Sequence, residues 1–384
     1  MAIKKQRVCY FGTYRANYPR NRILIDGLRK KGIDVIECHA QLWHGLQDRE
    51  DIAKGGWKSP KFWIRIIVTY SRLLWKFVHV GHFDVMVVGY PGQLDIFLGG
   101  ILCLILRKPL LWDVFMSVYL ISSERRFDEQ NPRTKYFIKF LEGVSLRVPN
   151  LLLFITKEYS DWFENTYKIQ SNKIRLLPLC ADERRFKPIY TNKQKDSHFL
   201  CIFFGSFIPS HGVEYILDAA KILQNDKDII FELIGAGPEL DKLVSFARKQ
   251  ELASVSFLNW IPIEKLIEKI SDADVCLGTF EDTPHAMMTI QNKILESLSM
   301  AKPIITGDSP IIRRIFQNKE HMYLCKRKDP VSLALAIQKL KSDPQFCRKI
   351  SKQGYDYYKK HFSSEQVTNQ FYSYITEILE EGVV

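Results

Sequence analysis

FLCIFFGSFIPSHGVEYILDAAKIL, residues 199–223, opens with six apolar residues, breaks at Gly205 and then takes up helical spacing. A short continuous apolar run bounded by glycine reads as a buried strand, and the 3.6-residue period over 213–224 reads as a helix. The same unit follows downstream. Residues 229–234 form a strand ending in Gly-Ala-Gly-Pro, residues 238–250 a helix, and 255–258, 275–277 and 303–305 further short strands. Upstream, 7–11 runs to Gly12 and a helical stretch over 21–31, with strands expected at 34–38, 84–88, 110–112 and 151–155. Between the two arrays lies TNKQKDSH (191–198), with the composition of a linker. Alternation of this kind predicts α/β architecture, two Rossmann-like doubly wound domains facing a central cleft. Ligands of such sheets lie beyond the carboxyl ends of the strands. The expected domains are 1–188 and 189–363. A terminal helix within 364–384 is expected to cross back onto the first.

Composition narrows the classes. With 46% hydrophobic and 26% charged residues among 384, the chain can build two cores, and disorder is excluded. The longest apolar run, 96–106, has eleven residues, short of the roughly 18 a membrane-spanning helix needs. MAIKKQRVCYFG lacks a small-residue cleavage site, so no signal peptide is expected. Eight cysteines without a CxxC pattern read as buried thiols of a reducing cytoplasm. Charge is unevenly spread. Residues 1–185 carry 30 Lys/Arg against 18 Asp/Glu, and the remainder carries 25 of each. An anionic partner of the first domain follows: a membrane surface, a lipid diphosphate or nucleic acid. No recognition module supports nucleic acid.

Chemistry-bearing residues cluster after the strands. Gly12 and Gly205 end the first strand of each array, where a bare backbone lets a phosphate approach. Gln291, Asn292 and Lys293 open a helix whose free amides and positive dipole end suit a diphosphate. Glu296 stands one turn further on the same face. Asp272 and Asp274 flank Ala273 as a DxD, but between a helix and a strand aspartates cap and turn, and two carboxylates make a poor metal cage. Gly235-Ala-Gly237 is too short for a dinucleotide fingerprint. On helix 59–79, Lys61, Arg65, Thr69, Arg72, Lys76 and His79 form one polar stripe among aromatics. It reads either as the wet edge of a buried helix or as an interfacial helix on anionic lipid, joined by Arg125, Arg126, Arg133, Lys135 and Lys139.

Five segments in register carry a resemblance: GSFIPSHGVEYILDAAKIL, FELIGAGPELDKL, VSFLNWIPIEKL, ISDADVCLGTF and IQNKILESLSMAKPIITGDS. Together they resemble the C-terminal domain of retaining GT-B glycosyltransferases of family 4, nearest a bacterial and archaeal cell-surface polysaccharide branch with an Asn-Lys-x-x-Glu-Ala signature. The resemblance implies a metal-independent hexosyltransferase that needs no cofactor. Its donor, a nucleotide-sugar, would be held by Gly12, Gly205, Ser206, His211, Gly235, Asn292, Lys293 and Glu296, with Glu296 on the ribose hydroxyls. Where the family carries Arg, Lys and Glu around the donor, this chain has Ser206, His211 and Met288, and the glycine closing the helix is Ala301. These departures keep open a second reading, a catalytically weak relative serving as scaffold or regulator in a glycan assembly complex.

On the acceptor side Asp113, at a strand end, is the candidate to orient or deprotonate a hydroxyl. A structural turn aspartate is the competing reading. Arg15, Arg20, Ser117 and Tyr119 are the other candidates there, and Arg22 could join them in neutralising phosphate. The combined expectation is a cytoplasmic enzyme, peripheral to the inner face of the membrane. It would act on a lipid-linked or glycan acceptor in polysaccharide or lipopolysaccharide biosynthesis, without nucleic acid.

Overall fold

The structure is a computed structural model that describes residues 6–44, 48, 51, 52, 56–124, 132–189 and 198–380. It divides into two units, residues up to Pro178 together with those from Ser364, and Leu179–Ser363. Arg125, Arg126 and most of the expected linker lie outside the described residues. The division falls at Pro178 rather than at 188. The reason is local: the Ala181 amide donates to the Tyr358 hydroxyl at 3.2 Å, and Lys359 pairs with Glu183 at 3.0 Å.

In the first unit the chain runs β1 (Arg7–Gly12), α1 (Pro19–Lys30), β2 (Asp34–His39), α2 (Pro60–Val78), β3 (Val85–Val88) and α3 (Asp95–Leu106). It continues as β4 (Leu110–Phe115), α4 (Val118–Glu124), α5 (Pro132–Ser145), β5 (Leu151–Phe154), α6 (Lys157–Tyr167) and β6 (Ile174–Leu176). The sheet order is β2-β1-β3-β4-β5-β6, every pair parallel. Parallel sheets are covered on both faces, which is why VMVV, LLWDVF and LLLF are nearly unbroken apolar runs. Asp113 is the exception, and it has a dedicated partner described below.

The second unit holds β7 (Phe199–Phe204), α7 (Val213–Ile222), β8 (Ile229–Ile234), α8 (Leu240–Lys249), β9 (Val255–Leu258), α9 (Ile263–Asp272) and β10 (Val275–Leu277). Then come α10 (Pro284–Met288), α11 (Asn292–Ser299), β11 (Ile304–Gly307), α12 (Pro310–Ile315), β12 (Tyr323–Cys325), α13 (Pro330–Ser342) and α14 (Pro344–His361). Its parallel order, β12-β11-β10-β7-β8-β9, reverses direction between β7 and β10, the switch point at which doubly wound sheets take ligands. Asp274 accepts the Leu200 amide at 2.8 Å and so pins the start of β7, a structural use of the DxD. Ala301 closes α11 at φ +53, a left-handed conformation that costs a non-glycine residue roughly 1 kcal/mol.

After α14 the chain returns to the first unit as α15 (Ser364–Glu380). Its buried side, Val367, Phe371, Ile375 and Ile378, repeats at helical spacing and lies along α1. Arg175 forks onto Glu377, and the Tyr374 hydroxyl donates to Leu176 O at 2.8 Å. The space over Gly27 in α1 is filled by Thr368. An alanine inside a helix ordinarily stabilises by about 0.5–1 kcal/mol. Here we expect Gly27→Ala to destabilise by about 1–3 kcal/mol through overpacking, read as a lowered urea midpoint. An unchanged or raised midpoint would mean that α15 is not seated on α1.

The polar stripe of α2 is turned inward only in part. Thr69 is buried, Arg65 pairs with Asp48 at 2.9 Å, and Lys76 donates to His39 O at 2.7 Å. Ser59 stands at the N-cap position without a side-chain capping bond. What α2 turns to solvent is mixed: Trp63, Ile64, Ile67, Val68 and Trp75 are exposed, and so are Lys61, Arg72, Lys76 and His79 of the stripe.

Candidate donor site and the buried pairs of the first unit

At the end of β7 the backbone turns through Gly205 at φ +141. That φ favours glycine, and the space a Cβ would enter is taken by the lysine laid across it, Nζ 2.9 Å away. Gly235, φ +144, follows β8 in the same way, and a side chain on it would strike the Gly205 carbonyl. The two glycines thus close-pack the strand ends around one point.

Lys293 comes to that point from the first turn of α11. It is buried, with Nζ 3.7 Å from the centroid of the Phe203 ring and 3.3 Å from His211 Nδ1. His211 ends a short 3₁₀ turn, and its Nδ1 lies 2.5 Å from Ser206 O; this fixes the tautomer with the proton on Nδ1, donated to the carbonyl. Lys293 makes no ion pair within salt-bridge range among the described residues. Burial therefore holds its amine well below the ordinary lysine value, an effect only partly offset by the charge of Glu296. Glu296, one turn further and half-buried, is pushed up to about 7 by burial, with Lys293 pulling the other way.

The helix end is open as well. Gln291 stands at the N-cap position of α11 without capping it, because its side chain is held elsewhere. Its Oε1 accepts from Thr279 Oγ1 at 3.1 Å, and its Nε2 donates to Thr289 Oγ1 at 3.2 Å. Asn292 is exposed beside it. A buried amine, an uncapped helix N-terminus and a carboxylate one turn further on make a site complementary to an anion carrying hydroxyls. Arg327, which sequence reasoning missed, braces the loops around this end. It donates to Asp308 O at 2.7 Å, to Gly307 O at 3.0 Å and to Glu281 O. Its partners are backbone carbonyls, which leave no residue-type signal.

In the first unit the expected residues are placed differently. Gly12 is not an open phosphate seat, because its missing side chain makes room for Asp95, whose Oδ2 would lie 2.5 Å from a Cβ. Asp95 also accepts the Thr13 amide at 2.7 Å and the Tyr70 hydroxyl at 2.6 Å, and burial raises its carboxyl pKa. Arg20 and Asp113 are joined by two parallel bonds, Nε to Oδ2 at 2.7 Å and Nη2 to Oδ1 at 2.8 Å, with both side chains buried. Arg20 also reaches Leu177 O and Pro178 O, each at 3.1 Å. Asp113 is shut from solvent with both oxygens engaged, the geometry of a brace rather than of a proton acceptor.

Ser117 is equally internal, its hydroxyl donating to Glu142 at 2.6 Å. Glu142 further accepts the Tyr167 hydroxyl at 2.6 Å and the Val118 amide at 2.8 Å, and burial lifts it to about 7 despite these donors. Tyr119 stacks on Trp162, with Lys135 and Lys139 over its ring. Arg15 lies over the Tyr18 ring, and Arg22 is spent on Asp26 and Glu37. The structure brings Gly205, Ser206, His211, Gly235, Lys293 and Glu296 together in one unit. The residues of the first unit are dispersed among its own internal bonds.

Residues 189–357 match the family described as Glycosyl transferases group 1. Among curated proteins, the probable glycosyltransferase WbjE of Pseudomonas aeruginosa is 27% identical over 46% of this chain. An uncharacterized glycosyltransferase of Methanocaldococcus jannaschii is 23% identical over 43%. The chain spans about half the length of these relatives, 47% and 44%. Solved structures match throughout. Sucrose-phosphate synthase from Thermosynechococcus elongatus has a TM-score of 0.76 at 16% identity, covering 98% of this chain and all of that one. HepE of Anabaena, crystallised with UDP-glucose, has 0.65 at 14%, covering 97% and 100%. A glycosyltransferase from Rickettsia africae has 0.71 at 13%, covering 99% and 100%. Residues 189–357 thus match the glycosyl transferases group 1 family, on a chain whose two parallel six-stranded sheets have the GT-B fold.

Proposed function

We propose that the chain is a glycosyltransferase that takes a sugar from a nucleotide-sugar held in the second unit. It passes the sugar, with retention of configuration, to a lipid-linked or membrane-associated glycan acceptor at the cytoplasmic face of a membrane. The observation that carries this reading is Lys293, a buried amine with no carboxylate in salt-bridge range among the described residues, laid over Gly205 at the β7/β10 switch point. A desolvated cation in that position awaits an anion, and a diphosphate fits the uncapped end of α11 beside it. Glu296, one turn on, suits two adjacent ribose hydroxyls with its two oxygens. Relatives of the same fold add support, HepE having been crystallised with UDP and with UDP-glucose.

In this reading Lys293 and the α11 amides stabilise the leaving diphosphate, which takes the proton of the incoming hydroxyl on the face it departs from. The cation is supplied by the chain itself, so no metal is assigned to the step. Asp113 is assigned to positioning rather than to proton transfer. The basic excess of residues 1–185 supports an acceptor tied to anionic lipid. Among the described residues no helix is long and apolar enough to cross a membrane.

Thermal unfolding against UDP, GDP, ADP, CMP and their sugar conjugates tests the donor site. Ligand at 100 times its Kd should stabilise by about 2.7 kcal/mol. The pH dependence has a definite sign. Free Glu296 holds its proton up to about 7, and a carboxylate is needed to accept two hydroxyls, so affinity should rise as pH climbs through 7. Lys293 acts in the opposite sense. Glu296→Gln, which keeps Lys293, should therefore abolish the rising limb and leave the falling one. No stabilisation by any nucleotide would overturn the donor reading in favour of a non-catalytic scaffold.

A further inference from the structure

Sixteen of the 21 large hydrophobic side chains exposed among the described residues belong to α2, α3, α5 and the turn after α5. These helices adjoin one another. Tyr70 of α2 bonds Asp95 of α3, Ser145 of α5 donates to Gln93 O just before α3, and Gly100 of α3 packs on Val148. Leu104 is 81% exposed, Phe140 69% and Trp75 67%, and they belong to adjoining helices rather than being scattered singly. The charge on the same helices has one sign. Lys61, Arg72, Arg133 and Lys139 are exposed, and Arg107 caps α3 in the open. The only carboxylates of the three helices, Asp95 and Glu142, are buried.

We infer that this face is a docking surface for an anionic lipid bilayer. The twelve residues of α3 span about 18 Å, short of the ~30 Å hydrocarbon core, so the face lies on the membrane and does not cross it. Trp63, Trp75 and Tyr136 carry apolar rings with polar tips, the side chains that settle at headgroup depth. Two copies meeting through this face would set its cations against each other, which disfavours self-association. An anionic headgroup layer meets the same cations favourably, at roughly a fivefold gain in affinity per basic residue. The inference rests on the membrane-side acceptor reading for its purpose and on none of the donor chemistry, so vesicle binding without nucleotide succeeds or fails separately from sugar transfer.

The test is sedimentation of the full chain with vesicles of phosphatidylcholine alone, or with about a third phosphatidylglycerol. We expect binding at least about tenfold tighter to the anionic vesicles, weakened by raised salt. Arg72→Gln with Arg107→Gln should lower it about thirtyfold. Leu104→Ser with Ile105→Ser should lower it about tenfold or more, through lost apolar insertion. All four positions are exposed, and an unchanged circular dichroism melt confirms that the variants fold. Equal affinity for neutral and anionic vesicles, or none for either, overturns the proposal. So does a concentration-dependent dimer in light scattering that Leu104→Ser with Ile105→Ser dissolves, since the face would then join two copies.

Discussion

Lys293→Met should raise the melting temperature of the ligand-free protein and, in the same molecule, weaken nucleoside diphosphate binding. The opposition follows from one fact, the burial of an amine that has no anion within salt-bridge reach among the described residues. Methionine keeps the linear shape against Phe203 and Gly205 and removes the desolvation penalty, which should stabilise by about 1–3 kcal/mol. For a domain of this size each kcal/mol corresponds to about 2–4 °C. Binding moves the other way. A charge-assisted bond to phosphate contributes about 1.5–3 kcal/mol, so Kd should increase roughly 10- to 150-fold. Differential scanning fluorimetry and calorimetric titration read the two effects on one preparation. If the substitution lowers the melting temperature and leaves affinity intact, Lys293 is a structural lysine and the donor site lies elsewhere.

The second large effect belongs to the first unit. Asp113→Ala should destabilise by about 3–5 kcal/mol, because it leaves the Arg20 guanidinium buried with only the Leu177 and Pro178 carbonyls. Arg20→Ala should cost a similar amount by stranding the carboxylate. Replacing both, as Arg20→Met with Asp113→Leu, should recover much of the loss, since an apolar pair of similar volume has no ions to desolvate. Urea unfolding of Arg20→Met, Asp113→Leu and the variant carrying both gives the coupling directly. A general base behaves otherwise. Asp113→Asn in a base leaves stability nearly unchanged and removes turnover, whereas in a brace it lowers stability while each folded molecule keeps its turnover. Losses that simply add in the double variant, with no recovery, would reject the brace.

The lesson for reading such a site is one of distance along the chain. The placing of Asn292, Lys293 and Glu296 at one helix start is legible in the sequence because all three sit within one turn. Lys293 lies against His211, 82 residues away. Asp113 and Arg20 are separated by 93, and Thr13 and Asp95 by 82. A strand-end aspartate looks the same in sequence whether an acceptor hydroxyl or an arginine faces it. Gly12 was read as room for phosphate, yet the room is occupied by a carboxylate that local sequence does not announce.

By itself the sequence determined the two alternating arrays, their parallel character and the glycine breaks, because apolar run length, helical period and the absence of a Cβ act over a few neighbouring residues. Tertiary structure alone decided strand order, the partners of the buried charges and which side of α2 faces water. A helix with apolar residues on both flanks of a polar stripe can be docked either way. The choice is made by the fit of Phe62, Thr69 and Leu73 into the first unit, where packing density leaves room for one orientation.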